Sequence, residues 1–232
     1  MQPRNTSTVR AVASFFAAVL LLSNVAFAGP PLICHAFDIG GAKSLPWVSE
    51  GWNLTGSENY NTNNLAADSI AVLDSSSVVL VHMETLRRAT LFARADRHAA
   101  KELLTRLVAR SDAAPSSASG ALATFDAGYL AECYKQWLGD NASNPAFGFD
   151  GYALIEKAIE LRGNNAQLEF AAALAGLSGS PSIQQAHAQK ALAGAKSDAL
   201  LARNLSTHFI GAKSETMAEM ISRNMNTKVA RQ

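Results

Sequence analysis

The amino-acid sequence predicts an all-α protein, with antiparallel helical hairpins stacked as an α-solenoid behind an irregular N-terminal arm. Apolar residues recur at helical spacing through residues 152–177, on both sides of a break at Gly163. A shift of thirty-three residues brings this stretch into register with the next one. The matched pairs include Ala158 with Ala191 and Leu168 with Leu201. Before Asn64 the chain is instead rich in Pro and Gly, which interrupt regular helices.

Residues 1–28 have the composition of a secretory signal peptide. Arg4 and Arg10 give a basic start without acids, an apolar run follows at 11–25, and small residues form a cleavage site that ends at Ala28. The apolar run is shorter than the roughly 20 residues that span a membrane. We therefore expect an exported protein, periplasmic or extracellular, with no membrane span after signal cleavage.

The charge of the chain argues against nucleic-acid binding. The 232 residues carry a net charge of +1, and removing residues 1–28 takes away two arginines and no acid, which leaves 204 residues with a net charge of −1. Phosphate binding requires clustered Lys and Arg. The densest basic positions are Arg87, Arg88, Arg94 and Arg97, and on a helix they are typical of a solvated face.

Residues 29–64 form the predicted arm, and their Pro and Gly content opposes a regular helix. The segment 32–37 also fits a short strand. Trp47 and Trp52 are the expected anchors of the arm on the helical body, because each indole buries a large apolar area. In the alternative interpretation the two Trp line a ligand groove, which makes them the candidate binding residues.

The middle of the chain is predicted to form four helices. The first spans 65–73, and the second spans 78–93, although its β-branched start also fits a strand. Asp96 is expected to cap the third helix, which ends at a Ser-rich loop over 113–120. The fourth helix covers 122–138 and places aromatic residues on one face.

The paired helices of residues 152–177 are expected to meet in a tight turn at Gly163, with Asn164 or Asn165 capping the second helix. The remaining predicted segments are a closing helix at 215–226, a helical-hairpin domain spanning 65–226 and a frayed tail at 227–232.

Two cysteines remain after export, and an oxidising compartment favours a disulfide between Cys34 and Cys133. Such a bond would join the arm to the aromatic face of the fourth helix. Closing a loop of this length stabilises a protein by about 4–5 kcal/mol in the chain-entropy model. The alternative is two separate buried thiols, which behave as small apolar side chains.

A second interpretation of the arm is a metal or thiol site formed by Cys34 and His35, with Asp38 as a further ligand. The other histidines are dispersed and match no metal-binding motif: His82, His98, His187 and His208. The spacing of His82 from its apolar neighbours predicts a helix-face residue rather than a ligand.

No catalytic motif is found in the sequence. Glu156 and Glu160 lie one helical turn apart, but Lys157 and Arg162 flank them, so this pair is interpreted as a solvated face. The sequence therefore predicts neither a catalytic residue nor a cofactor.

Two resemblances add to this interpretation. The sequence Gly-Pro-Pro-Leu-Ile-Cys-His from Gly29, followed by Phe-Asp-Ile-Gly from Phe37, resembles the mature start of a group of secreted bacterial proteins, which implies export from a bacterium. The period near 150–210 resembles that of tetratricopeptide-type helical repeats, without their Trp, Gly and Tyr pattern. Such repeats imply binding of a protein or peptide partner in a groove. The alternatives are an enzyme or metal/thiol protein at Cys34 and His35, or a structural protein of the cell envelope.

Overall fold

The computed structural model describes residues 32–48, 54–55, 57–139, 141–176 and 181–209. Eight α-helices form the regular structure of these residues, together with two short 3₁₀ turns. The helices are α1 (Leu65–Asp74), α2 (Val79–Phe92), α3 (Arg97–Ala113), α4 (Ala121–Leu138), α5 (Gly151–Arg162), α6 (Ala166–Ala175), α7 (Pro181–Gly194) and α8 (Ala199–Phe209). No strand occurs in this described part, and the segment 32–37 forms turns and bends instead of the strand considered above.

The all-α fold of helical hairpins is confirmed, because α1 packs on α2, α3 on α4, α5 on α6 and α6 on α7. The predicted signal peptide, Trp52, the closing helix at 215–226 and the tail lie outside the described residues. The tetratricopeptide-like stacking stays a prediction. No helix in the described ranges is both long enough and apolar enough to cross a bilayer.

The helix ends follow the local signals in the sequence. The Asp96 side chain accepts a hydrogen bond from the backbone N–H of Ala99 and caps α3. Of the two asparagines considered for α6, Asn165 is the cap, and it accepts from the backbone N–H groups of Gln167 and Leu168. Gly163 ends α5 with a φ of 74°, a left-handed conformation that favours glycine.

Helices α2, α4 and α6 lie at the centre of the molecule. Arg88 is the one residue of α2 that is not fully buried, and α6 is buried from Leu168 to Ala175. Helix α2 packs against α1, α4 and α6, which are far apart in the chain. In a linear solenoid each repeat contacts its neighbours alone. The packing here also joins distant helices, so the hairpins enclose a common core.

The arm is part of this core. Leu32, Ile33, Phe37 and Leu45 are all buried in the same apolar cluster as the central helices. The backbone N–H of Leu32 donates to the Gln136 side-chain oxygen over 3.0 Å, which fixes the start of the arm on α4. The arm therefore covers the helical body and contributes apolar area to its interior.

Candidate functional site

A buried ionic cluster on α2 holds the arm in place. Glu84 and Arg87 are fully buried, and the guanidinium of Arg87 donates to both Glu84 carboxylate oxygens over 2.8 and 3.0 Å. Arg88 Nε donates to Glu84 Oε1 over 2.6 Å. Buried charges of this kind are retained only where they are paired and hydrogen-bonded.

The same cluster binds the backbone of the arm. The Phe37 N–H donates to Glu84 Oε2 over 2.9 Å, and Arg87 donates to the Ile33 carbonyl oxygen over 3.1 Å. Arg88 donates to the carbonyl oxygen of Leu45. Because these charged groups are bonded to one another and to the arm, we assign the cluster a structural role.

Trp47 lies partly buried against the core, as expected for an anchor of the arm. Its ring meets the Phe92 ring edge-on at 5.5 Å, and the Arg87 guanidinium lies 5.4 Å from its centroid. Both contacts attach the arm to α2. Since Trp52 is outside the described residues, a ligand groove between the two Trp stays a prediction.

Cys34 and Cys133 are free thiols in this structure, so the predicted disulfide is not formed. Cys133 is fully buried in α4, and burial raises the pKa of its thiol well above the usual range. Cys34 is half-buried, and burial raises the pKa of its thiol although the nearby Arg87 charge opposes this shift. Both thiols are thereby poor nucleophiles at neutral pH, because the thiolate is the reactive form.

His35 and Asp38, the other two residues of the metal site considered from the sequence, contact different residues in the structure. The Asp38 carboxylate accepts from Arg203 over 2.6 Å and from the Gly40 N–H over 2.8 Å, and these bonds lower the pKa of Asp38. The His35 ring meets His208 edge-on at 5.7 Å. Cys34, His35 and Asp38 do not form a three-ligand metal group, and no such group occurs in the described ranges.

His82 lies on a buried face of α2, beside the apolar neighbours that predicted a helix-face residue, and it forms a second buried pair. Its Nδ1 lies 2.6 Å from the Asp126 carboxylate on α4, and its Nε2 lies 2.9 Å from the Ser76 carbonyl oxygen. A carbonyl oxygen can only accept, so with an ionised Asp126 both ring nitrogens donate. The geometry suits an imidazolium held between α4 and the turn before α2, because burial lowers the pKa of His82 but is outweighed by the Asp126 charge and these hydrogen bonds, which raise it.

A third polar cluster joins α5, α6 and α7, and it opens to the surface. Glu169 is nearly fully buried; its Oε2 accepts from His187 Nδ1 over 2.5 Å and its Oε1 accepts from Lys190 Nζ over 3.1 Å. His187 Nε2 points the other way and lies 3.9 Å from Glu156 Oε1 on α5. The Tyr152 ring meets the imidazole edge-on at 6.4 Å. Burial, followed by the Glu156 and Glu169 carboxylates, raises the pKa of Tyr152 to about 12.

A pocket of about 320 Å³ lies beside this cluster, between α6 and α7. Its lining residues are Asn164, Ala166, Glu169, Lys190, Ala193 and Gly194. A Cβ atom on Gly194 would lie 2.2 Å from the Ala166 Cβ, so the two helices meet closely at one end of the pocket. The cluster and this pocket, which we call the α6–α7 site, form the candidate functional site.

Sequence reasoning missed most of the α6–α7 site. The sequence places Glu156 on a solvated face, and the side chain is half exposed, but its carboxylate also faces His187. Glu169 belongs to no recognised motif, although it is a carboxylate inside the otherwise apolar run of α6. That position was the available signal, because a charged residue on a buried helix needs a partner.

Comparison with protein-family models, with curated proteins and with solved structures finds no match to this chain. The fold defines the class of the protein as an all-α helical-hairpin protein. Fold class alone does not fix function.

Proposed function

We propose that the protein is an exported, non-catalytic helical protein that binds a peptide or protein partner, and that the α6–α7 site takes a carboxylate of that partner. The observation that supports this proposal is the half-exposed Lys190 ammonium at a pocket whose other walls are largely small and apolar.

The chemistry of Lys190 favours an anionic group. An ammonium has three donors, and Glu169 Oε1 accepts one of them, which leaves two for a ligand. Asn164 adds an amide at the pocket lining. A peptide carboxylate would gain charge-assisted hydrogen bonds from this edge of the pocket.

The size of the pocket favours a short ligand segment. A volume of about 320 Å³ is near the lower end for small-molecule sites, which span about 300–1,000 Å³. Three of the lining residues are small and apolar, which suits one small apolar side chain of a ligand: Ala166, Ala193 and Gly194. We therefore expect the pocket to take the C-terminal residue of a peptide. Export is supported by the composition of residues 1–28.

The test is binding of labelled protein to an array of pentapeptides, each present with a free and with an amidated C terminus. The free carboxylate forms should bind, and Lys190→Gln should weaken their binding about tenfold, as expected for the loss of a charge-assisted hydrogen bond. Lys157→Gln, at an exposed lysine on α5, is the matched control and should bind like the unchanged protein.

Equal binding of the amidated peptides, or an unchanged affinity in Lys190→Gln, would refute the carboxylate pocket. If no pentapeptide binds, a structural role at the cell envelope becomes the better account. Thermal unfolding of each variant confirms that it is folded before binding is compared.

A further inference from the structure

We propose that Glu156 and His187 form an open binding site for a divalent transition-metal ion, with Zn²⁺ as the ion that fits the donors best. The proposal does not depend on peptide binding. It follows from the separation of the two donors, from the orientation of the imidazole and from the exposure of the Glu156 carboxylate, since His187 itself is largely buried.

The separation of the donors suits an ion between them. His187 Nε2 and Glu156 Oε1 are 3.9 Å apart, which is too far for a hydrogen bond. Zinc bonds to imidazole nitrogen over about 2.0–2.1 Å and to carboxylate oxygen over about 2.0–2.2 Å. The gap is therefore within the reach of both bonds to one ion. The Glu156 side chain is about half exposed, so it can move the remaining few tenths of an ångström.

The orientation of the His187 imidazole is fixed by a hydrogen bond at Nδ1, the nitrogen that faces away from Glu156. Glu169 Oε2 accepts from His187 Nδ1, and Lys190 Nζ holds the other carboxylate oxygen. In the neutral imidazole this bond places the proton on Nδ1 and leaves the lone pair on Nε2, toward Glu156. A carboxylate that accepts from the second nitrogen of a metal-bound histidine is the usual arrangement in zinc proteins, where it fixes the tautomer and raises the basicity of the ligand.

The coordination would be incomplete without further ligands. The described residues hold no group of three or more His, Cys, Asp or Glu suited to one ion, so this chain supplies two ligands and water fills the other positions. An imidazole nitrogen favours zinc and other transition ions, whereas Ca²⁺ and Mg²⁺ prefer oxygen ligands. Helices α5 and α7 each contribute one ligand, so the ion would join two helices that both pack on α6.

The test is Zn²⁺ alone, without peptide, measured by competition with a chromophoric zinc indicator. Glu156→Gln should weaken zinc binding at least tenfold. Glu169→Gln should weaken it about 10- to 100-fold, because the bond that orients His187 is lost. Glu160→Gln is the matched control, since it removes a carboxylate from an exposed position one turn along α5, and it should bind zinc like the unchanged protein.

A second measurement identifies the ligand directly. NMR signals of the imidazole rings report on each histidine, whether it is buried or exposed, so a zinc titration shows which ring binds the ion. Zinc should shift the ring signals of His187 and leave those of the exposed His35 and His98 unchanged, which makes these two residues internal controls.

The proposal fails if zinc leaves the His187 ring signals unshifted, if it shifts those of all three histidines alike, or if Glu156→Gln binds zinc as the unchanged protein does. Because no peptide is present, these outcomes are independent of the carboxylate pocket. Because Glu156 is half exposed, the variant Glu156→Gln is expected to fold. The test therefore remains decisive even if Glu169→Gln does not fold.

Discussion

His208 of α8 and Phe37 of the arm lie face to face, with their ring centroids 4.6 Å apart and their planes 4° from parallel. His208 Nδ1 donates to the Asn204 carbonyl oxygen, and the Phe170 ring meets the imidazole edge-on at 5.5 Å. This apolar setting favours the neutral imidazole. Burial is the main cause that lowers the pKa of His208 to about 4.

The His208 pKa predicts a loss of stability in mild acid. The unfolded chain takes up this proton near pH 6.5 and the folded protein near pH 4, so the stability present above pH 6.5 is lost as the pH falls through this window. At pH 5 the loss from this group should be about 2 kcal/mol. Urea denaturation at pH 7.5 and at pH 5 measures the difference.

In the variant His208→Gln, the free energy of unfolding should change less between pH 7.5 and pH 5. The change should be smaller by the contribution of His208, about 2 kcal/mol. His98→Gln, at an exposed histidine, is the control and should keep the full pH dependence. An unchanged pH dependence in His208→Gln would show that His208 titrates normally in the folded protein.

The stability contributed by the pair of His82 and Asp126 should depend on pH in the opposite direction to that contributed by His208. Burial alone lowers the pKa of His82, but the Asp126 charge and the bonds to Asp126 and Ser76 outweigh it, and the net shift is upward. The stabilisation is then fully present below the unfolded pKa of 6.5 and is lost as the pH rises through the folded pKa. An NMR titration of the His82 ring protons should show an imidazolium that persists above pH 6.5.

Asp126→Asn should lower the free energy of unfolding by about 3–5 kcal/mol, because it leaves a buried charged imidazole without its counter-ion. Glu102→Gln breaks the exposed ion pair with Arg106 and should cost less than about 1 kcal/mol. Chemical denaturation at pH 6 compares the two variants. Equal small losses would mean that His82 is neutral in the folded protein.

The crossing of α4 and α5 predicts that an added methyl group destabilises the protein. A Cβ atom on Gly128 would lie 2.5 Å from the Gly151 carbonyl oxygen and 2.8 Å from the Leu154 Cβ. Alanine normally stabilises a helix relative to glycine by about 0.5–1 kcal/mol. Here the backbone of α5 must move, so Gly128→Ala should instead destabilise by about 1–3 kcal/mol.

Gly41→Ala is the matched control, because a Cβ atom at this position meets nothing within 4 Å. Its free energy of unfolding should be unchanged within about 0.5 kcal/mol. A Gly128→Ala variant as stable as the unchanged protein would contradict the close helix approach.

The two thiols predict different rates of alkylation. Iodoacetamide should label the half-buried Cys34 slowly in the native protein and should label the fully buried Cys133 only after unfolding. Mass spectrometry of the labelled peptides separates the two sites, and Cys133→Ala provides a control in which only Cys34 remains. If denatured protein is labelled at neither cysteine until a reductant is added, the disulfide predicted from the sequence is present in solution.

The helices were predictable because their signals are local. The Asp96 cap and the Gly163 turn each depend on a few neighbouring residues. The sequence limits the cap of α6 to Asn164 or Asn165, and the structure selects Asn165. The predicted helix over 78–93 was ambiguous at its start, and the structure has a helix at Val79–Phe92. The apolar residues of α2 are buried on several sides of the helix, which explains why its β-branched start is helical and not a strand.

The polar contacts were not predictable, since they join residues that are distant in sequence. Arg87 is fully buried and donates to the Ile33 carbonyl oxygen of the arm, and nothing near Arg87 in the chain indicates this contact. His187 and Glu169 meet through the packing of α7 on α6. A single sequence shows that these groups can ionise but does not show which of them are neighbours.

The contact between the arm and α8 determines when the fold can be completed. The Asp38 N–H donates to the Asn204 side-chain oxygen over 2.9 Å, and the Asn204 amide donates to the Asp38 carbonyl oxygen, across 166 residues of chain. During synthesis the arm leaves the ribosome early, and its partner on α8 follows only after every other described helix has been made. Contacts of such high sequence separation slow folding, because the entropy of closing a long loop is lost before the contact forms. The docking of the arm on α8 can thus occur only after the other described helices have been made, and a nascent chain stalled before Asn204 would leave Phe37 without its contact to His208.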